Sequence, residues 1–334
     1  MKEIKIVLDA ITTDGSLDKV VLGAVNVLNE LPDLTLYLVG PTNEINNQLS
    51  NYNLKYGNLV VIDAQDKITN QDNPLKAIRQ KKESSLYKCF ELLKQNEDIG
   101  GLVSAGATGA LLCGAIMNLE PIGNCYPSLS TLLPNENDDF FCLIDCGANV
   151  DCIPKQLVEY AKISSLYMKC MYPNKDIKVG LLSNGVEDSK GNSLTKEVFS
   201  LLKESQLNFI GNIEGTDVLT GKCDVVVCDG FVGNILLKNI EGSFKMVIKQ
   251  LAKKAKTTTD ELEKKYLLNT VNELLLKYDL NSLSGATLLG VNKVIMKGHG
   301  NANEKTIYNI VKQVYNLIEN DLIEKLATKM NVLK

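Results

Sequence analysis

Eight short runs rich in Val, Ile and Leu punctuate this chain, and each is nearly continuous in its apolar residues rather than alternating. They are IKIVLDA (4–10), LTLYLVG (34–40), NLVVIDA (58–64), GGLVSAG (100–106), FFCLIDCG (140–147), IKVGLLSNG (177–185), LNFIGNI (207–213) and DVVVCDG (224–230). A strand with one face in water alternates apolar and polar residues; a strand without alternation is buried on both faces, as in a parallel sheet covered by helices. Between the runs lie segments such as 74–95, 154–172 and 192–206, whose apolar residues fall three or four apart, the spacing of an amphipathic helix. The pattern predicts an α/β chain built from βαβ units.

In such a sheet, ligands bind beyond the carboxyl ends of the strands. Those ends carry Asp9, Ser104, Asp145, Ser183 with Asn184, and Asp229, each before glycine or small residues. Any one of them serves equally as a helix cap or turn residue; five together point to a cleft. In SAGATGALLCGA (104–115) a strand gives way to a turn and then to a helix start. Gly106 and Gly109 can let backbone N–H groups face an anion there, with hydroxyls from Ser104 and Thr108, or they can serve only close helix packing. Neither nucleotide-binding glycine fingerprint is present. GLLSNGVEDSKGN (180–192) brings Lys190 to a helix start, as a charge for phosphate or an acyl carrier or as a solvated lysine. In VCDGFVGNILLKNIEG (227–242), Asn234 either donates to a developing oxyanion or caps a helix. His299, the only imidazole, sits between two glycines as a titrating group near neutrality or as a turn residue.

With 334 residues, 45% of them apolar, the chain can bury a large core, and a net charge of −4 gives no basic face for nucleic acid. Nine cysteines, several inside apolar runs and none in a Cys-x-x-Cys pair, suggest buried free thiols in a cytoplasmic protein. The opening MKEIKIVLDA reaches Asp9 too soon to serve as a signal peptide. NENDD (135–139) is a candidate lobe boundary, 301–330 reads as one long helix or two, and 244–278 reads as two helices split near 257–260, the second capped by Thr259 or Asp260.

RQKKESS, IDCGANVDCIP, GLLSNG followed by KGN, FIGNIEG, VVVCDGFVGN and LLGVNKVIMKGHG recur in one order over nearly the whole chain. Together they resemble the bacterial phosphate acyltransferases known as PlsX. The resemblance implies a three-layer α/β/α fold like that of the isopropylmalate dehydrogenase and phosphate acetyltransferase group. It implies one such domain over 1–334, a homodimer with a protruding helical pair at 244–278, and no metal or nucleotide cofactor. The implied reaction moves a long acyl chain from acyl carrier protein to inorganic phosphate, in a cytosolic protein that touches the membrane peripherally. Lys190, Asn234 and His299 are then the candidate catalytic residues. Asp9, Ser104, Gly106, Thr108, Gly109, Asp145, Asn149, Asn184 and Asp229 are the candidates for holding substrate. The chain departs from the family pattern at Thr12 and Thr13, where two glycines are usual, at Ala107 for asparagine, at Thr216 for arginine, at Thr287 for proline, and in HGNAN for His-Gly-Ser-Ser. Short-chain acyl transfer from coenzyme A, or binding of acyl groups without turnover, are the competing readings.

Overall fold

The computed structural model of the chain describes residues 3–55, 57–278 and 285–332. Its sheet has eleven strands: β1 (Ile4–Asp9), β2 (Leu34–Gly40), β3 (Asn58–Asp63), β4 (Ile99–Ser104), β5 (Ser128–Pro134), β6 (Phe140–Ile144), β7 (Lys178–Leu182), β8 (Asn208–Ile213), β9 (Val225–Val227), β10 (Ala286–Leu289) and β11 (Val294–Lys297). The spatial order is β3-β2-β1-β4-β11-β10-β5-β6-β9-β7-β8. All eight apolar runs form strands, and the pairs at both ends of the sheet are parallel. The centre is antiparallel, where β10 pairs with β11 and β5, and β5 with β6.

Three strands were not foreseen. β5 is SLSTLLP, and its Ser128, Ser130 and Thr131 are buried; the Ser130 hydroxyl donates to the Thr287 carbonyl at 3.2 Å, which satisfies a polar residue inside the sheet. β10 and β11 are four residues each and sit inside one apolar stretch, bent at Gly290 with φ +100°. NENDD, the candidate lobe boundary, is instead the turn of the β5–β6 hairpin, where Asn135 Oδ1 accepts the N–H groups of Asn137 and Asp139 at 2.9 and 3.2 Å.

The helices are α1 (Leu17–Leu28), α2 (Thr42–Leu49), α3 (Pro74–Gln80), α4 (Ser85–Gln95), α5 (Thr108–Asn118), α6 (Pro154–Met171), α7 (Ser193–Lys203), α8 (Gly230–Thr257), α9 (Glu261–Tyr278), α10 (Glu304–Glu319) and α11 (Leu322–Val332). Segment 74–95 is two helices because Ser84 caps the second, its Oγ accepting from the Tyr87 N–H at 3.4 Å. α8 starts well before residue 244, and Asp260 then opens α9 by accepting the Leu262 N–H at 2.8 Å.

Successive residues of β1 show why the sheet is covered on both sides: Ile6 and Leu8 enter one apolar layer and Val7 the other. The first layer is completed by α1, α6, α7, α10 and α11, the second by α3, α4, α5 and the base of α8. Each fully buried Ile, Leu or Val contributes about 1.5–3 kcal/mol, so it is the two layers that hold the strand ends in place.

Candidate active site

Neighbouring parallel strands β1, β4 and β11 end together, which brings Asp9, Ser104 and Lys297 side by side; Lys297 stands opposite Ser104 in register. Asp9 and Ser104 are fully buried. The Ser104 hydroxyl donates to Asp9 Oδ2 at 2.8 Å and accepts the Gly106 N–H at 3.1 Å, while Asp9 Oδ1 accepts the Ile11 N–H at 3.1 Å. Ser85, the last residue of the RQKKESS motif and the first of α4, also favours the charged form of Asp9. Burial raises the Asp9 pKa against these hydrogen bonds and the charge of Lys297. Burial also lowers the Lys297 ammonium to about 8, opposed by Asp9 and reinforced by Lys238. The Lys297 Nζ donates to the Gly298 carbonyl.

Above this floor opens a cleft of about 420 Å³, lined among others by Thr13, Gly106, Thr108, Gly147, Asn234, Lys238, Lys297 and His299. Thr108 begins α5, whose N-cap is Ala107, so no side chain caps its first N–H groups. That end of the helix carries partial positive charge toward any anion seated there. A cap has a measurable worth: Ala107→Ser is expected to stabilise the protein by about 1 kcal/mol and raise its thermal midpoint by roughly 2 °C in a calorimetric scan.

Asn234 is carried into the cleft by close packing at the start of α8. Asp229 caps that helix, its Oδ1 accepting the Val232 N–H at 2.9 Å. One turn on, a Cβ at Gly233 would lie 1.9 Å from the Asp145 carbonyl oxygen, so only glycine lets α8 come this near the loop after β6. The Asn234 side chain then lies over Gly147, which holds φ +129°. Asp145 holds that loop: its Oδ1 accepts from the N–H groups of Leu129, Gly147 and Ala148 at 3.2, 3.1 and 2.9 Å. Its Oδ2 accepts the Asn149 N–H and side-chain amide at 2.8 and 3.1 Å. With the carboxylate fully buried and so engaged, Asp145 and Asn149 shape the support beneath Asn234 rather than reaching into the cleft.

His299 accepts the Asn301 N–H on Nδ1 at 3.4 Å, leaving Nε2 to carry the proton. Burial, then the charges of Lys238 and Lys297, lower its pKa, so the imidazole is neutral near pH 7 and acts as a donor. The substituted loop after β1 is tied in by two backbone bonds, Thr13 N–H to the Ala105 carbonyl at 3.3 Å and Asp14 N–H to the Gly300 carbonyl at 3.0 Å. Neither Thr12 nor Thr13 has a positive φ; among the described residues only Asp138 and Asp321 do so without being glycine. The loop thus follows a path that β-branched residues accept.

The remaining candidates lie elsewhere. Asn184 and Asp229 line a separate hollow of about 450 Å³ with Ser183, Asn192 and Val232, and Asn184 Oδ1 there accepts the Gly191 N–H at 2.9 Å. Lys190 is exposed on the turn before α7 and is not among the residues lining the cleft. A Cβ at Gly109 would meet Pro74 at 2.8 Å, so its bare face packs on α3, the packing alternative, and not on the cleft. Lys297 and Lys238 escaped sequence reasoning. The signal for Lys297 was present: it ends an apolar run before glycine, as the other strand-end residues do, but that run did not read as a strand. Cys146 also lines the cleft; its buried thiol donates to the Leu129 carbonyl at 3.2 Å, and burial beside Asp145 pushes its pKa well up, so it stays protonated.

Three comparisons bear on this arrangement. A family model described as "Fatty acid synthesis protein" matches residues 4–325. The chain is 39% identical over 326 residues to a phosphate acyltransferase of Clostridium novyi (strain NT), covering 97% of this chain and 98% of that protein. It is 36% identical over 333 residues to a phosphate acyltransferase of Clostridium acetobutylicum, covering 98% and 99%. In fold it is similar to a phosphotransacetylase from Streptococcus pyogenes, with a TM-score of 0.59 and 18% identity over 98% of this chain and 94% of that one. With its sequence matched almost end to end and its three-layer α/β/α architecture shared, the chain belongs to the phosphate acyltransferase family, enzymes that form acyl phosphates.

Proposed function

We propose that this phosphate acyltransferase moves a long fatty acyl group from the thiol of acyl carrier protein to inorganic phosphate, with phosphate itself as the nucleophile. One observation carries the reading: a half-buried lysine, an uncapped helix N-terminus, a neutral imidazole and the Asn234 amide line one cleft. Phosphate seated by Lys297 and the first N–H groups of α5 attacks the thioester carbonyl. The oxyanion that forms takes a hydrogen bond from the Asn234 amide, the C–S bond breaks, and the acyl group remains on the phosphate oxygen. A thiol pKa of about 8.5 makes the departing thiolate tolerable, so no strong acid is needed, and the His299 Nε2–H steadies a phosphate oxygen. Direct attack suits the protonated state of Cys146, which is ill placed to serve as a nucleophile.

Lys190, exposed beside the second hollow, fits steering of an acidic carrier protein, so Lys190→Ala should raise the KM for acyl carrier protein and leave turnover at saturation within about threefold. α8 and α9 support a homodimer with a lipid-touching tip. Beyond its base α8 packs chiefly on α9, and Leu262, Tyr266 and Leu276 are 80%, 78% and 71% exposed. Among the described residues no helix is long and apolar enough to cross a membrane, so contact of this kind is peripheral. The deciding experiment traps acyl phosphate with hydroxylamine. Acylhydroxamate should appear only when acyl-loaded carrier protein and phosphate are both present; a folded protein giving none has the binding role instead.

A further inference from the structure

Across α8 from the cleft lies a second, larger recess of about 610 Å³, walled by the β5–β6 hairpin, the 215–220 loop, α8 and α9. The two faces of α8 differ in their balance, with Leu237 among polar residues at the cleft and Asn239 and Ser243 among apolar ones at the recess. Asn234, Lys238 and Glu241 line the cleft, whereas Leu236, Ile240 and Phe244, each four residues after the last, line the recess. Leu133, near the end of β5 and 1% exposed, is a wall of both hollows, so the recess and the cleft lie on two sides of one side chain. Among the described residues that line it, Glu136 is the only charged one. At the α9 end Phe244 and Tyr278 meet edge to face, ring centroids 6.0 Å apart, and an ion pair between Lys277 and Asp138 pins the end of α9 to the hairpin turn.

We propose that this recess seats the alkyl chain of the acyl thioester, which enters past Leu133 while its carbonyl stays at Asn234, and that the Phe244–Tyr278 pair is the stop that sets the chain length. The proposal rests on the acyl-transfer reading of the cleft and adds where the chain goes. An uncharged occupant follows from the lining: an acidic carrier protein finds no cation there, and a volume within the usual 300–1,000 Å³ of small-ligand sites suits a flexible chain. A second copy of this protein is the competing occupant. The shared wall at Leu133 favours the chain, because it sets the recess one side chain away from the cleft, where a surface that only joins two copies has no reason to lie.

Each methylene seated in such a recess should multiply kcat/KM by about fourfold until the stop is reached. The test loads acyl carrier protein with butyryl, octanoyl or hexadecanoyl chains and compares wild type with Ile240→Trp, which fills the middle of the recess, and Phe244→Ala, which removes the stop. Ile240→Trp is expected to lower the hexadecanoyl-to-butyryl ratio of kcat/KM about a hundredfold, and Phe244→Ala to shift the preferred length upward. In a second arm, cis-parinaric acid binds the wild type and Ile240→Trp weakens that binding at least tenfold. Unchanged ratios and unchanged probe binding in a folded protein overturn the proposal, as does a change only in self-association on a sizing column. If wild type makes no acyl phosphate from any chain, the transfer reading fails while the probe arm still decides the recess.

Discussion

Replacing Lys297 with methionine is expected to cut acyl phosphate formation by about a hundred- to a thousandfold, with the KM for phosphate rising more than the KM for the thioester. The ammonium is the cation on the floor of the cleft, beside the Asp9–Ser104 pair, and a methionine of similar length keeps the shape and removes the charge. The pH dependence has a definite sign. Burial lowers this group from 10.5 to about 8, so kcat/KM for phosphate should fall as pH rises through about 8. In Lys297→Arg, whose guanidinium stays charged, any activity that remains should not fall there. Stability runs the other way. Below pH 8 the folded and unfolded forms both hold the proton, and keeping it buried costs the folded form up to about 3 kcal/mol; between 8 and 10.5 only the unfolded form holds it, so stability rises with pH across that window. At pH 7 without phosphate, Lys297→Met should therefore melt a few degrees above wild type while being nearly inactive. Equal activity, or a lower melting point, sets aside the buried-cation account.

Asn234→Ala is expected to lower kcat by about a hundred- to a thousandfold with little change in either KM, because the amide is asked to stabilise only the oxyanion of the transition state. The fold should not notice: Asn234 is exposed, and the loop it covers is held by Asp145 through five donors of its own. Asn234→Gln keeps the amide but moves it one carbon outward, and should recover at most a small part of the loss. Stopped assays of acylhydroxamate with both substrates varied, beside a thermal melt, separate these outcomes. A KM effect with kcat intact would assign Asn234 to substrate binding alone.

The outer sheet was legible in the sequence and its middle was not, for a physical reason. β1, β2, β4 and β7 are buried runs that nothing interrupts, and their lack of alternation declares the covered parallel sheet, whereas the edge strand β3 has the same apolar run and stays partly exposed. β5 hides its strand character behind serine and threonine, and β10 and β11 are too short to stand out from one another. The same gap explains the site. Gly106, Thr108, Asn234 and His299 do share a cleft, yet Lys190 stands in an open polar turn that sequence displays, whereas the half-buried Lys297 ends a run in VIMKGHG too short to read as a strand. Asp145 and Asp229 end strands as the ligand rule asks, but both Asp145 oxygens and Asp229 Oδ1 accept backbone N–H groups, a distinction that only coordinates reveal.

The central position of β10 and β11 has a consequence for how the protein is made. Among the described strands they come last in chain order, and β11 inserts beside β4 while β10 pairs with β5. Until residue 297 emerges, the nascent chain holds two half-sheets with unsatisfied edges at β4 and β5, a form prone to wrong pairing. β11, which closes the β4 edge while β10 closes the β5 edge, also delivers Lys297 and leads into His299, so a nascent chain that has not yet closed its sheet lacks the cation and the imidazole in place.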